Sequence, residues 1–336
     1  MTAQELERLA AWCTAHVPGF HGALTSERFA GGQSNPTYKL TSPSGAYVLR
    51  RKPPGVLLPS AHAVDREFRV LRGLQGSAVP VPPVFALCED PEVIGSAFYV
   101  MGFVPGRVFY DARVPGAAPA ERIAIYDSMN ATIAALHSID PAAIGLGDFG
   151  RPGNYMARQV ARWGKQYRAS ETTPIPEMDR LIDWLAERTP ADGRVAIVHG
   201  DYRLDNLLLH PTAPRGVAVL DWELSTLGDP VADFAYHAMV WRIPPDLFRG
   251  LAGEDLPALG IPAEEDYVAA YCRRTGRDGI ADWDYYLVYG IFRIAAILQG
   301  VAKRALEGTA ASADAVEQGA KARPLAELAW SIAAKG

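Results

Sequence analysis

The spacing of apolar residues changes along the chain, and it predicts two kinds of region. In the first hundred residues, short apolar runs alternate with Gly, Pro and polar residues, which is typical of strands joined by turns. After Pro119, apolar residues recur three and four positions apart over long stretches, which is typical of helices with one buried face. We predict such helices at 119–137, 176–188, 264–274, 285–306 and 320–334. The chain therefore begins with a strand-rich region and continues as a mainly helical one.

One helix of the strand-rich region carries a carboxylate where an apolar side chain is expected. The helix is predicted over residues 60–74, and its apolar face consists of Val64, Phe68 and Leu71. Glu67 falls inside that face. Because a buried carboxylate needs a cationic partner, we expect Glu67 to pair with Arg50 on the preceding strand.

Length, charge and cysteine spacing narrow the class of protein. The chain has 336 residues, of which 49% are hydrophobic, and it can bury one large core or two moderate ones. Its net charge of −5 gives no reason to expect a nucleic-acid partner. Cys13, Cys88 and Cys272 are far apart and lack CxxC spacing, so we predict reduced thiols and a cytoplasmic location.

The sequence also gives no reason to expect a membrane partner. The N-terminal residues lack the apolar core of a signal peptide. The most apolar late segment, residues 285–302, is interrupted by Gly290 and Arg293. We interpret this segment as too short and too charged to span a bilayer.

Polar side chains that can bind a metal are concentrated between residues 195 and 223. An apolar run leads into the sequence HGD, which ends on Asp201, and Asn206 follows five residues later. Two further apolar runs, separated by a turn that contains Pro and Gly, predict a hairpin that ends on Asp221. The hairpin would bring Asn206 and Asp221 side by side, next to the loop that carries Asp201. Carboxylate and carboxamide oxygens are the ligands that Mg²⁺ prefers, so the pattern predicts a magnesium site.

The spacing of Asp201, Asn206 and Asp221 resembles the catalytic loop of the aminoglycoside phosphotransferase/choline kinase family, a branch of the protein-kinase-like superfamily. The resemblance implies an α+β fold with two lobes, as in protein kinases. A small antiparallel β lobe that binds the nucleotide is expected within residues 1–104. A larger, mainly helical lobe with the catalytic and substrate-binding residues is expected within residues 105–336.

The same resemblance implies roles for the residues of the loop. ATP and Mg²⁺ would be the cofactors, and the γ-phosphoryl group would pass to a substrate hydroxyl. Asp201 would orient that hydroxyl and take its proton, while Asn206 and Asp221 would hold Mg²⁺. Arg203 stands where the related loop of protein kinases has a Lys, and it would contact the γ-phosphate. The alternative is that Arg203 is a surface residue or pairs with Asp205.

Two stretches near the N-terminus resemble the parts of kinases that bind phosphates. The segment FAGGQSNPTYKL offers Gly31, Gly32, Ser34 and Asn35 to the phosphates, and an ordinary hairpin turn is the alternative. In the strand that follows, Val48 and Arg50 point the same way, as in the kinase sequence V-A-I-K with Arg in the place of Lys. We expect Arg50 at the α- and β-phosphates, with Glu67 as its partner. A solvated charge at the strand end is the alternative for Arg50.

A third stretch, Met101 to Val104, resembles the hinge of kinases, where backbone groups recognise adenine. The carbonyl of Gly102 and the N–H of Val104 would make that contact, with Met101 beside them. The family often has an acidic residue where Gly102 stands, so no side chain would assist there.

The class of acceptor is suggested by the resemblance of two stretches to one subgroup of the family. YVLRRKPPG and FRIAAILQGVAKR look like the kinase-like domain that is fused to some acyl-CoA dehydrogenases, which implies a hydroxyacyl or hydroxyacyl-CoA acceptor. An aminoglycoside or amino-alcohol kinase of the choline type is one alternative, and a nucleotide-binding regulatory pseudokinase is another. Only a short segment separates Asp221 from Asp229, and no A-P-E follows, so a loop that docks a protein substrate is not expected.

The distribution of charge favours an anionic small-molecule acceptor. Residues 151–168 are rich in Arg and Lys and contain no acid. We predict that Arg158, Arg162 or Arg293 binds an anionic group of the acceptor. The alternative is that residues 151–168 are a solvated face and that Arg293 pairs with Asp233, a residue that we also expect to brace the catalytic loop.

Overall fold

A computed structural model describes residues 1–29, 35–53, 63–310 and 313–335. By contacts between residues, the chain divides into two compact units. The first unit comprises Met1–Arg107, Leu208–Pro211 and Val217–Ser225. The second unit comprises Val108–Leu207, Thr212–Gly216 and Thr226–Gly336. Two short segments from late in the chain thus belong to the first unit.

The first unit is built on an antiparallel sheet, as predicted for the N-terminal region. Its strands are β1 (Thr25–Arg28), β2 (Thr37–Ser42), β3 (Gly45–Arg51), β4 (Val84–Cys88) and β5 (Phe98–Gly102). They are ordered β1-β2-β3-β5-β4, and every neighbouring pair is antiparallel. The long strands β2 and β3 are joined by a tight turn at Pro43 and Ser44. The strand order places β3 in the middle of the sheet.

Three helices accompany this sheet, namely α1 (Ala3–His16), α2 (Val64–Leu74) and α3 (Pro91–Ile94). Helix α1 begins with a capping box, in which the N–H groups of Thr2 and Glu5 donate to each other's side chains at 2.8 and 3.2 Å. The buried face of α1 joins a core formed with β2, β3 and β5, whose largest members include Leu9, Leu40, Leu49 and Phe98. Helix α1 therefore packs on the first unit.

The second unit is mainly helical. Its helices are α4 (Pro119–Ser138), α5 (Tyr155–Ser170), α6 (Pro176–Glu187), α7 (Pro230–Ala238), α8 (Pro245–Phe248), α9 (Leu256–Leu259), α10 (Glu264–Thr275), α11 (Trp283–Leu306), α12 (Ala315–Ala320) and α13 (Ala322–Ala333). The predicted helix at 320–334 is thus α13 with a short helix before it. Asp229 accepts from the N–H of Val231 and Pro230 follows it, so α7 starts as its sequence requires.

Four short strands lie along the chain between residues 196 and 228, where the candidate catalytic residues are found. β6 (Ala196–Val198) pairs antiparallel with β9 (Thr226–Gly228), a strand that we did not predict. β7 (Leu207–Leu209) and β8 (Gly216–Val219) form the predicted hairpin.

Helix α11 is the central helix of the second unit. It packs against α5, α7, α12 and α13. By length and composition alone it could cross a membrane, so our prediction that this segment is too short was wrong. Of its most apolar window, 83% is buried inside the protein, which is typical of a core helix.

Candidate active site

The carboxylate of Asp201 is held by three side chains of the second unit. Its Oδ1 accepts a hydrogen bond of 2.9 Å from the hydroxyl of Tyr236 and lies 3.0 Å from Nε of Arg203. Its Oδ2 accepts from Nη2 of Arg203 at 3.2 Å and from Nδ2 of Asn206 at 3.1 Å. Donors on several sides restrict the rotation of the carboxylate. The structure thus places Asn206 beside Asp201, as predicted, and adds Arg203 to the pair.

Arg203 forms the pair with Asp205 that the sequence allowed as the alternative, and its contact with the γ-phosphate stays a prediction. Besides its contact with Asp201, its Nη2 lies 3.5 Å from Oδ2 of Asp205. Asp205 also pairs with Arg249 at 2.5 Å. The side chain of Arg203 therefore lies between the two carboxylates of the loop.

Asp233 braces the loop from behind, as predicted. Its carboxylate accepts from the N–H of His199 at 2.7 Å and from the N–H of Gly200 at 2.8 Å. Nε2 of His137 lies 3.2 Å from the same carboxylate. Burial raises the pKa of Asp233, but these donors outweigh burial and hold the pKa below its ordinary value. His199 itself is buried, and its Nδ1 accepts from the N–H of Asp201 at 3.2 Å.

Arg293 also contacts the loop, although it does so without Asp233. Its Nη2 donates to the carbonyl of Gly200 at 2.5 Å. Its guanidinium lies 4.3 Å from the ring centre of Tyr236 and 5.1 Å from that of Trp163. The alternative interpretation, in which Arg293 pairs with Asp233, is therefore wrong. Since Arg293 is only 7% exposed, the structure places it on the loop rather than on a surface open to an acceptor.

The other two predicted acceptor residues lie on α5. Arg158 is partly buried and donates to the backbone carbonyls of Arg151 and Pro152 at 3.0 and 3.5 Å. Arg162 is exposed, with its guanidinium 5.3 Å from the ring centre of Trp163. The aromatic side chains of α5, namely Tyr155, Trp163 and Tyr167, lie in or against the core of the second unit, so they do not line an open surface.

In the first unit, Arg50 is surrounded by carboxylates. Its Nε lies 2.6 Å from Oε2 of Glu67, which confirms the predicted pair. Its Nη2 donates to Oδ1 of Asp221 at 2.7 Å and lies 3.4 Å from Oε2 of Glu223. One guanidinium thus faces three carboxylates. Such a site favours the addition of a cation.

Glu67 has two further donors. The side-chain amide of Asn35 donates to it at 2.7 Å, and the hydroxyl of Tyr99 at 3.1 Å. Burial raises the pKa of Glu67, and Arg50 opposes that effect. The Asn35 amide was predicted to face phosphate, and here it braces Glu67 instead. Gly31, Gly32 and Ser34 of the same prediction lie outside the described residues.

Asp221 adopts a backbone conformation that few residues accept. Its φ is +64° and its ψ is 62°, in the left-handed region where Asp and Asn are tolerated better than most side chains. The residue comes two positions after β8 and opens the turn Trp222–Leu224. This conformation directs its carboxylate to Arg50. Within the described ranges, no three His, Cys, Asp or Glu side chains form a complete metal cage, so a cation at Asp221 would need other ligands as well.

The predicted hinge lies at the end of β5. Val48 and Met101 are register partners on β3 and β5, and both are buried. Gly102 is tightly packed, because a Cβ atom there would lie 2.7 Å from Cγ of Pro83. This contact explains why no larger side chain occupies that position. Among the described residues, the N–H of Val104 has no hydrogen-bond partner, so it can bind a ligand.

Sequence reasoning missed Tyr236, Tyr99 and Glu223. Tyr236 has a recognisable signal, since it follows Asp233 by three positions on α7 and so lies on the same face of the helix. Tyr99 lies in an uninterrupted run of buried residues on β5 and looks like an ordinary core residue. Its hydroxyl donates to Glu67, a contact that only the tertiary fold creates.

A family model supports an assignment for most of the chain. Residues 25–286 match the model described as the phosphotransferase enzyme family. The chain is 48% identical to acyl-CoA dehydrogenase family member 10 of Mus musculus over 316 residues. This alignment covers 94% of the present chain and 30% of the mouse protein. It is 42% identical to acyl-CoA dehydrogenase family member 11 of Rattus norvegicus, over 98% of this chain and 43% of that protein. The chain therefore spans less than half the length of these relatives.

Solved structures have the same fold. A crystal structure from Ralstonia eutropha, provisionally described as an aminoglycoside phosphotransferase, matches with a TM-score of 0.90 and 56% identity over 98% of both chains. An aminoglycoside phosphotransferase in a ternary complex with AMP-PNP and hygromycin B matches with a TM-score of 0.62 and 17% identity, over 94% of this chain and 96% of that one. The second likeness shows the fold alone.

Proposed function

The chain belongs to the phosphotransferase enzyme family, and on that premise we propose that it is an ATP-dependent kinase of a small molecule. The family match makes it a phosphotransferase, and we propose that an alcohol group is the acceptor. The observation that best supports a kinase of a small molecule is the position of the Asp201 carboxylate, which is held by Tyr236, Arg203 and Asn206. A carboxylate held in one orientation on a loop of this type suits a general base.

In the proposed reaction, the acceptor hydroxyl oxygen forms a bond to the γ-phosphorus of ATP. The bond between that phosphorus and the bridging oxygen breaks, ADP leaves, and the hydroxyl proton passes to Asp201. Arg203, which lies against Asp201, would contact the transferred phosphoryl group. Asp233 and Arg293 would keep the backbone of the loop in place through His199 and Gly200.

Magnesium fits the donors that the chain offers. The amide nitrogen of Asn206 donates to the backbone and side chain of Asp201, so its carboxamide oxygen remains as the atom for a cation. Asp221 is the most exposed of the three carboxylates that face Arg50. We propose that Asn206 and Asp221 hold Mg²⁺ together with phosphate oxygens and water. When bound, Mg²⁺ offsets the negative charge of the phosphates.

The nucleotide would be bound mainly by the first unit. Arg50 would contact the α- and β-phosphates, with Glu67 fixing its position. Val48 and Met101 would cover the adenine ring, and the backbone of Gly102 and Val104 would hydrogen-bond to its edge. Gly31, Gly32 and Ser34, which belong to the glycine-containing segment FAGGQSNPTYKL, would also contact the phosphates.

For the acceptor, we propose a hydroxyacyl or hydroxyacyl-CoA compound. Two observations support this. The curated relatives are named acyl-CoA dehydrogenase family members, and the present chain covers only part of each. In addition, α5 presents cations without an intervening acid, whereas a polycationic aminoglycoside or choline calls for acidic side chains. Arg162 is the exposed member of the predicted set, and Arg158 lies one turn away.

A phosphate-transfer screen tests the proposal. The full chain is incubated with ATP and Mg²⁺ and with hydroxyacyl-CoAs, free hydroxy acids, aminoglycosides and amino alcohols, and the phosphorylated product is measured. We expect transfer to the anionic acceptors. Efficient transfer to an aminoglycoside alone would contradict the acceptor assignment, and binding of ATP without turnover on any acceptor would favour the pseudokinase.

Charge reversal locates the acceptor surface. Arg162→Glu should raise the acceptor KM about tenfold or more, while the KM for ATP stays unchanged. Arg273→Glu on the exposed side of α10 is the matched control, because it makes the same charge change on a different helix. Equal effects of both substitutions would contradict a local role for Arg162.

A further inference from the structure

Arg293 is a buried cation in the middle of α11. In the part of the chain that the structure describes, its guanidinium lies within ion-pair distance of no carboxylate, and its hydrogen bond goes to a backbone carbonyl. Burying a charge is costly unless other groups replace the water that it loses. Here the replacements are the carbonyl of Gly200 and the faces of two aromatic rings. An apolar residue would pack in α11 without that cost, so the position calls for a role beyond packing.

The contacts of Arg293 lead directly to the candidate base. Tyr236, whose ring face lies against the guanidinium, donates its hydroxyl to Oδ1 of Asp201 at 2.9 Å. The carbonyl that Arg293 binds belongs to Gly200, the residue before Asp201. Arg293 therefore acts on Asp201 by two routes, through the preceding peptide and through the ring that orients the carboxylate.

The loop is thus held at three backbone groups that precede the base. Asp233 accepts from the N–H groups of His199 and Gly200, and Arg293 donates to the Gly200 carbonyl on the other side of the peptide chain. Gly200 has a φ of +80°, a conformation that a loop held by fewer bonds would readily leave. Tyr236 then sets the direction of the side chain of Asp201.

We propose that Arg293 and Tyr236 form a positioning pair for Asp201, in which the guanidinium fixes the Gly200 peptide and the phenol fixes the carboxylate. The proposal rests on the proposed function, because it needs Asp201 to be the base. A planar guanidinium can donate in its plane and stack through its face at once, whereas the ammonium of Lys has no face to stack. The pair therefore depends on Arg at position 293, and charge alone is insufficient.

The experiment compares four variants in steady-state kinetics with the acceptor found in the screen. Tyr236→Phe removes one hydrogen bond to Asp201 and keeps the ring, so kcat should fall about tenfold. Arg293→Met removes the donor and the charge while filling similar space, and kcat should fall about 100-fold because the loop moves. The KM for ATP should change by no more than about twofold. Arg293→Lys should recover little of the loss, and millimolar guanidinium should restore activity to Arg293→Ala.

Two further measurements separate positioning from stability. The double variant Tyr236→Phe with Arg293→Met should be no slower than Arg293→Met alone, since both act on one carboxylate. Arg274→Met removes an Arg that donates to Asn130 and Asp127, and should lower the melting temperature without changing kcat.

The outcomes distinguish this inference from the proposed function. If Asp201→Asn retains the turnover of the unmodified chain, the proposed function itself is wrong. If Asp201→Asn is inactive while Tyr236→Phe and folded Arg293→Met turn over normally, the positioning pair alone is overturned. Should Arg293→Met fail to fold, Tyr236→Phe decides, and a kcat equal to that of the unmodified chain refutes the pair.

Discussion

Nε of Arg50 lies 2.6 Å from Oε2 of Glu67, and both side chains are almost completely buried. The two residues come from the central strand β3 and from α2, so the pair links sheet and helix within the first unit. Asn35 and Tyr99 complete the shell of donors around Glu67. The pair thus fixes the direction in which Arg50 presents its remaining N–H groups, which in this structure face Asp221 and Glu223.

The first prediction concerns this pair. Glu67→Gln leaves Arg50 without its buried counter-charge, so the KM for ATP should rise and the stability of the chain should fall by about 3 kcal/mol. Glu67→Gln and Arg50→Met should be non-additive in KM for ATP, as expected for residues in contact. Arg51→Met is the control, since Arg51 is the next buried Arg of β3 and binds Glu5, Ser96 and Ile94. It should lower stability only, and additive effects in the main cycle would show that the ion pair does not form.

The second prediction concerns the base. Asp201→Asn keeps the size of the side chain but removes the acceptor of the proton, so kcat should fall by about 10² or more. The affinity for ATP, measured by calorimetry, should change little. Asp127→Asn on the exposed side of α4 is a matched control for the loss of one carboxylate. A variant of Asp201 that turns over at the normal rate would remove the residue from this role.

The third prediction concerns magnesium. Asp221→Asn keeps a residue that tolerates positive φ, and it removes one negative charge from the group around Arg50. Nucleotide binding should therefore require a higher Mg²⁺ concentration, on the order of tenfold. A titration of nucleotide binding against Mg²⁺ measures this shift, with Glu89→Gln, exposed in the same unit, as the control. An unchanged magnesium dependence would count against Asp221 as a ligand.

The fourth prediction concerns pH and stability. Burial lowers the pKa of His237 from its ordinary value of 6.5 to about 4. Its Nε2 lies 2.7 Å from the hydroxyl of Tyr267. Because the unfolded chain binds the proton more readily, the contribution of neutral His237 is complete above pH 6.5 and is lost as the pH falls toward 4. The total loss should be about 3 kcal/mol.

Melting temperatures between pH 7.5 and 4.5 measure this effect. His237→Gln should give a flatter curve over that range, whereas the exposed His16→Gln should keep the slope of the unmodified chain. If the slope of His237→Gln equals that of the unmodified chain, the proton is bound elsewhere.

The sequence was most informative where a polar residue interrupts an apolar pattern. Glu67 lies on the buried face of α2, and this position alone called for a cation, which the structure supplies as Arg50. Arg293 shows the limit of the same argument. Its place in an apolar helix indicated a partner, but the helical pattern cannot distinguish a carboxylate from a carbonyl with two aromatic rings.

The misses share one physical cause. The amide of Asn35 was assigned to phosphate, yet it donates to Glu67, because two segments far apart in sequence meet in the fold. Strand β9 has only three residues, so it lacks the length that makes alternation visible, and it forms by pairing with β6. Local patterns specify elements, and the targets of individual side chains depend on contacts between elements.

The three buried thiols allow the local opening of the structure to be measured by chemical labelling. Cys13 and Cys88 lie buried in the first unit and Cys272 lies buried in the second. Burial raises the pKa of each, that of Cys13 to about 12, so the reactive thiolate is scarce while the fold is closed. The rate at which an alkylating reagent labels each cysteine therefore measures how often its surroundings open. Mass spectrometry of the labelled peptides can follow the two units separately in a single sample.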